Sequence, residues 1–230
     1  MKLHGIQKMT LLDFPGVVSC TIFLGSCDFR CPFCHNFELI DGTMKPTMVE
    51  DELITFLESR KGLLEGVAIT GGEPLMHKDL PRLIKRISDT GYRVKLDTNG
   101  YHPKLLKEIL DSGFVEYVAM DIKNSPEKYA LTCGVESVDL DKIYESINIL
   151  KTGKIEYEFR TTVVNELHSE EDFYKIGEMI KGAKRYFLQR FTDRDSVPYG
   201  NLTSPSFEKM HKFAEISRKF VPKTELRGVE

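Results

Sequence analysis

Cys27-Asp28-Phe29-Arg30-Cys31-Pro32-Phe33-Cys34-His35-Asn36 follows closely on an apolar run, Val17 to Leu24, and sets three cysteines at C-x3-C-x2-C spacing on one short loop. That spacing lets one loop wrap three thiolates around a single inorganic centre. The number three is informative. A structural zinc site closes with four ligands, and an iron–sulfur cluster held entirely by protein also takes four cysteines. Three thiolates on a four-iron cluster leave one iron open to a small molecule. A zinc knuckle would need His35 as its fourth ligand, but His35 adjoins Cys34, and adjacent residues reach one tetrahedral ion poorly. The spacing therefore favours a cluster, with His35 just behind the ligands or in a packing role.

Working outward, the chain alternates apolar runs with amphipathic ones. A Thr47-Met48-Val49-Glu50 capping box opens a helix through about Arg60. Val67 to Thr70 reads as a buried strand ending at Gly71-Gly72-Glu73-Pro74. Leu80, Leu83, Ile84 and Ile87 form one stripe of a helix that Gly91 stops. Tyr92 to Leu96 is a strand ending at Asp97-Thr98-Asn99-Gly100, and Pro103 to Leu110 is helical. Val115 to Met120 is a strand ending at Asp121-Ile122-Lys123. A helix over Leu140 to Leu150 precedes a strand, Tyr157 to Val164, that carries Arg160. Ser169 caps a helix with acids in its first turn. Arg185 to Phe191 is the sixth strand, and Ser204-Pro205 starts a last helix.

Strands alternating with helices imply parallel pairing through right-handed crossovers. Nearly every polar motif falls at the C-terminal end of a strand, the rim where (β/α) barrels bind ligands. Six units are too few for the usual eight-stranded closure. The expected fold is thus α/β, a partial (β/α)6 barrel of parallel strands, open on one side, with residues 1–230 as a single domain. An open side suits a macromolecular substrate that pushes a loop inside.

Composition narrows the function classes. A net charge of −3 argues against broad nucleic-acid binding. The first residues lack a signal-peptide core, and no apolar run approaches membrane-spanning length, so a cytoplasmic protein is expected. Five cysteines, three crowded on one loop, do not make a disulfide framework. Cys20, inside the first apolar run, reads as a buried inert thiol, and Cys133 as a plain surface or half-buried one.

The cysteine loop resembles that of the radical S-adenosylmethionine enzymes, in which an aromatic residue, here Phe33, precedes the last cysteine. The fuller stretch Asp28 to Asn36 is similar to the activating enzymes of glycyl-radical proteins. Among these it looks most like the activating proteins of anaerobic ribonucleoside-triphosphate reductases. Gly5-Ile6-Gln7-Lys8 and Leu11-Leu12-Asp13-Phe14-Pro15-Gly16 fit the same subfamily. The resemblance implies one 4Fe–4S cluster on Cys27, Cys31 and Cys34, with S-adenosylmethionine chelated by the open iron. Reductive cleavage of that cofactor would give a 5′-deoxyadenosyl radical that takes a hydrogen atom from a glycine of a larger partner enzyme. It also implies an outside electron donor of flavodoxin or ferredoxin type. No side chain need act as acid or base. Some activating enzymes carry an inserted ferredoxin-like stretch after the cluster loop; here Asn36-Phe37-Glu38-Leu39 runs on almost directly, so one cluster is supportable.

The same resemblance assigns further residues. Gly71, Gly72 and Glu73 would hold the methionine amino group, the glycines through close backbone approach and Glu73 by buttressing the turn. Asp97, Asp121 and the carbonyls of Thr98 and Met120 would surround a monovalent cation, with Lys123 on the ligand carboxylate or ribose. Against this, Asp97 to Gly100 is also a natural turn by composition, and Asp121 with Lys123 also reads as a local ion pair. Arg160, a charge within an apolar strand, needs an anionic partner if it faces inward, and a bound cofactor carboxylate would serve; Gln189 is a lesser candidate of that kind. Three rivals stay open: an activator of another glycyl-radical enzyme such as a formate-lyase, a radical enzyme acting on a small molecule, and a zinc-binding module.

Overall fold

Ser19-Cys20-Thr21-Ile22-Phe23-Leu24 is buried at every position but Phe23, the signature of a strand covered on both faces. Such strands organise the fold. The computed structural model describes residues 1–229. These fall into two compact units, Met1–Asp28 with Glu38–Val118, and Phe29–Phe37 with the chain from Ala119 onward.

The first unit runs β1 (Lys2–Leu3), β2 (Gly5–Thr10), β3 (Ser19–Leu24), β4 (Met48–Val49), α1 (Glu50–Ser59), β5 (Gly66–Gly71), α2 (Leu80–Asp89), β6 (Arg93–Thr98) and α3 (Pro103–Asp111). β3, β5 and β6 pair in parallel, while β2 joins β3 antiparallel through an irregular register. β1 and β4 make a small antiparallel pair of their own. Ile22, Leu24, Val67, Ile69, Val94 and Leu96 are fully buried along the three parallel strands. Each such side chain contributes about 1.5–3 kcal/mol. α2 buries the expected stripe, Leu80, Leu83, Ile84 and Ile87.

The second unit runs from β7 (Tyr117–Asp121, which the division crosses) through α4 (Tyr129–Cys133), α5 (Leu140–Thr152), β8 (Glu156–Val163), α6 (Glu170–Met179), β9 (Tyr186–Arg190) and α7 (Phe207–Arg218) to β10 (Thr224–Arg227). Its strands lie in the order β7, β8, β9, β10, with β8–β9 and β9–β10 parallel. α6 and α7 pack through Phe173 and Phe213, whose rings stack at 4.3 Å. Ser169 sits at the N-cap of α6 as expected, its N–H donating to Asp172 Oδ2 at 2.8 Å.

The architecture is α/β with a mostly parallel sheet flanked by helices, and no closed barrel is formed among the described residues. All six expected strands are present. Four short strands escaped the sequence reading. β1, β2 and β4 are brief or lie at an antiparallel edge, and β10 is a four-residue strand after a helix. Two helix starts also differ. Thr47 is not a cap: its N–H donates to Leu3 O, and α1 begins later, where Glu52 accepts from the Val49 N–H at 2.8 Å. Glu50, expected to close a box with Thr47, instead takes Arg82 and Arg86 at 2.9 and 2.8 Å. At the other end Ser206, not Ser204, caps α7 by accepting from the Lys209 N–H.

Candidate functional site

The first unit places three sequence motifs together. β5 ends at Gly71, which has φ +126°, and a Cβ there would stand 2.2 Å from Leu24 O. A Cβ on Gly72 would stand 1.9 Å from Ser26 O. The amides of Gly72 and Glu73 donate to Leu24 O and Ser26 O at 2.8 and 2.7 Å. The glycines therefore allow close approach, but to the backbone that leads into Cys27. Glu73 is 1% exposed. Its Oε1 accepts from Thr98 Oγ1 at 2.7 Å and Leu75 N–H at 3.0 Å, and its Oε2 from Asn99 N–H at 2.6 Å. It buttresses the turn, as expected, and ties the end of β5 to the end of β6. Beyond that tie, Asn99 Nδ2 donates to Cys27 Sγ at 3.8 Å, and His102 Nε2 meets Asp28 Oδ2 at 2.7 Å. Asp97 is paired with the buried Lys95.

Burial pushes the Glu73 carboxyl up to about 7, against the pull of its three donors. The folded carboxyl thus holds its proton more tightly than the unfolded one. Stability from this group is present at low pH and declines as pH rises from about 4.5 to 7, by roughly 3 kcal/mol. Urea melts of the wild type and Glu73→Gln at both ends of that window check this. The wild type should lose more stability than the variant on going to neutral pH; equal losses would show that Glu73 does not titrate there.

The second unit holds the remainder of the cysteine loop, Phe29–Phe37. Arg30 N–H donates to Cys133 O at 2.8 Å. Gly134, at φ +66°, lies so close that a Cβ would stand 2.1 Å from Arg30 O. Cys133 is fully buried and not the half-exposed thiol expected, because α4 lays it against this loop. A hydrogen bond with Cys133 brings the Cys31 thiol down to about 7 despite its burial, with Lys123 adding in the same direction. Burial raises Cys34. Phe33 is buried, with Lys123 Nζ 6.0 Å from its ring centroid. His35 packs, as expected: it stacks on Phe191 at 5.5 Å, and its Nε2 lies 2.7 Å from Thr192 O.

At the ends of β7 and β8, Asp121 accepts from Lys123 at 2.9 Å and from Arg160 Nε at 2.5 Å. Burial alone would raise the Asp121 carboxyl, but the two cations outweigh it and hold it well below the carboxylate range. Lys123 is likewise held well above its ordinary value by Asp121, against its burial. Arg160 thus has its anionic partner within the protein. Gln189 is exposed and joins none of this.

Among the described residues no three histidine, cysteine or acidic side chains stand together as ligands of one ion. The donor chemistry is nevertheless that of an iron–sulfur site: soft thiolates, one receiving an N–H and one with a lowered pKa.

Residues 21–180 match the radical SAM superfamily. The chain is also 30% identical over 235 residues to a Methanocaldococcus jannaschii protein assigned as a glycyl-radical enzyme activating enzyme, covering 99% of this chain and 96% of that one. This chain belongs to the radical SAM superfamily, among the glycyl-radical enzyme activating enzymes. It is 25% identical to the pyruvate formate-lyase-activating enzyme of Clostridium pasteurianum, over 91% of its own length and 87% of that enzyme's. In fold it is similar to Streptococcus suis SuiB bound to S-adenosylmethionine, with a TM-score of 0.67, 14% identity, and 90% and 52% of the two chains covered.

As a radical SAM enzyme the chain uses a 4Fe–4S cluster and S-adenosylmethionine. No helix among the described residues is long and apolar enough to cross a membrane. Sequence reasoning missed four participants: Asn99, Lys95, the Asp28–His102 pair and the burial of Cys133. Asn99 was legible only as a turn residue, and a lysine within a strand gives no sign that it is buried beside an acid.

Proposed function

We propose that this chain activates an anaerobic ribonucleoside-triphosphate reductase by generating a radical on a glycine of that enzyme. The observation that carries the reading is the run Cys27 to Asn36, together with Gly5 to Lys8 and Leu11 to Gly16, which fits that subfamily. Cys27, Cys31 and Cys34 would hold the cluster. When bound, cluster and S-adenosylmethionine supply a 5′-deoxyadenosyl radical, the species that abstracts hydrogen. The chain's own residues bind and orient. Phe33 and the Gly71, Gly72 and Glu73 turn would shape the cofactor's seat, with Asp97 and Thr98 on the neighbouring strand end. Asp121, Lys123 and Arg160 together leave one positive charge, which suits a carboxylate. A monovalent cation beside Asp97 and Asp121 would have to displace Lys95 from the one and Lys123 or Arg160 from the other. The electron comes from a flavodoxin- or ferredoxin-like donor.

Close approach of the reacting atoms is the main demand on the partner's loop, and glycine meets it best. Mixing the anaerobic protein, S-adenosylmethionine, a reductant and the reductase from the same source is expected to give a glycyl-radical doublet in electron paramagnetic resonance. Replacing the partner's radical glycine by alanine should remove it. A doublet only with a formate-lyase would move the assignment to that partner. Deoxyadenosine release stimulated by a small metabolite alone, with no doublet from any glycyl-radical enzyme, would overturn the activating role.

A further inference from the structure

Asn99 is held by its backbone and by its side chain at once. It directly follows Thr98, the last residue of β6, and is 5% exposed. Its backbone N–H donates to Glu73 Oε2 at 2.6 Å. Its side-chain Oδ1 accepts from the Tyr101 N–H at 2.9 Å. That bond decides which way the amide faces: with the oxygen occupied by a donor, the NH2 group is the end turned toward Cys27 Sγ, 3.8 Å away. A buried carboxylate thus sets the backbone, the backbone sets the amide, and the amide reaches one cysteine.

We propose that Asn99 is a positioning residue for the cluster, whose N–H···S hydrogen bond steadies the Cys27 thiolate and raises the reduction potential. The inference rests on Cys27 being a cluster ligand. Reduction adds negative charge to the iron–sulfur unit and its thiolates. A donor aimed at a ligand sulfur stabilises the more negative state, and such hydrogen bonds are among the factors that set cluster potentials. The bond is present in both oxidation states, so the couple shifts only by the difference between its two strengths, and the reduction equilibrium should move by roughly tenfold. The bond would therefore ease electron entry while also fixing where the first thiolate of the loop points.

The test uses anaerobically loaded protein, before any S-adenosylmethionine is added, and reads iron per chain and midpoint potential by redox titration in electron paramagnetic resonance. Asn99→Ala removes the donor. Asn99→Asp keeps the acceptor for the Tyr101 N–H but turns a carboxylate oxygen toward the sulfur. Both variants retain the backbone bond to Glu73. Iron is expected to stay, with the reduction equilibrium about tenfold less favourable in Asn99→Ala, or ~59 mV for one electron, and less favourable again in Asn99→Asp. Iron retained in either variant suffices to read the potential. An unchanged potential overturns the proposal, and so does loss of iron from both, since Asn99 would then serve assembly and not tuning. Cys27→Ala keeps the two failures apart. If that variant holds iron at the wild-type potential, the ligand assignment has failed; if it loses iron while the Asn99 variants titrate like wild type, only the tuning role has.

Discussion

Alanine at Cys27, Cys31 or Cys34 is expected to reduce release of 5′-deoxyadenosine from S-adenosylmethionine to background, with dithionite as reductant. Loss of the cluster should accompany it. Wild-type protein reconstituted without oxygen should hold about four irons per chain, as an open-site cubane on three thiolates requires. Cys20→Ala and Cys133→Ala should keep both iron and activity. Cys20 lies fully buried in β3, and burial pushes its thiol up to about 12, so it stays protonated and inert. The Cys133 variant is the sharper comparison, because that thiol touches Cys31. If Cys133→Ala lost its iron, Cys133 would be a fourth ligand and no iron would stand open for the cofactor. Stoichiometric zinc without iron in the wild type would sink the cluster altogether.

The second large effect is structural. Gly71→Ala and Gly72→Ala should each lower Tm by roughly 10 °C, corresponding to about 4 kcal/mol for a chain of this size. Both new methyl groups meet backbone and not a yielding side chain, at 2.2 Å from Leu24 O and 1.9 Å from Ser26 O. Gly71 adds a positive φ that alanine adopts poorly. Gly91→Ala is the comparison: its φ is also positive, +92°, but nothing lies within 4 Å. It should cost only the ~1–2 kcal/mol of the backbone conformation. Calorimetry on the three variants decides. Melting of Gly72→Ala within a degree or two of wild type would mean that the turn is not packed against Ser26.

Much of this was legible in the sequence because it rests on local, periodic or covalent signals. The stripe Leu80, Leu83, Ile84 and Ile87 reads as one face of a helix, and the short run Val67 to Thr70, closed by two glycines, reads as a strand. The three cysteines favour a cluster by their spacing, and the resemblance carries the rest of their reading. What escaped depends on long-range pairing. Thr47 and Glu50 satisfy a capping pattern, yet Glu50 finds Arg82 and Arg86 across the fold and leaves the box to Glu52. The glycines after β5 were read as room for a ligand. Their clearance is taken up by Leu24 and Ser26, a distance no spacing rule reports. Arg160 was read as wanting an anion, and the anion is Asp121, which the sequence had assigned to other company.

The cysteine loop is tied by backbone just before its first thiol and again between its first and second. On one side Ser26 O receives the Glu73 N–H; on the other the Arg30 N–H reaches Cys133 O under the close cover of Gly134. Ordering a residue's backbone costs about 1–2 kcal/mol, and here that cost at the loop's roots is met when the chain folds and not when metal arrives. With Cys27, Cys31 and Cys34 as its ligands, a cluster would have less chain to order on arrival, and more of the energy of its iron–thiolate bonds would remain for holding it.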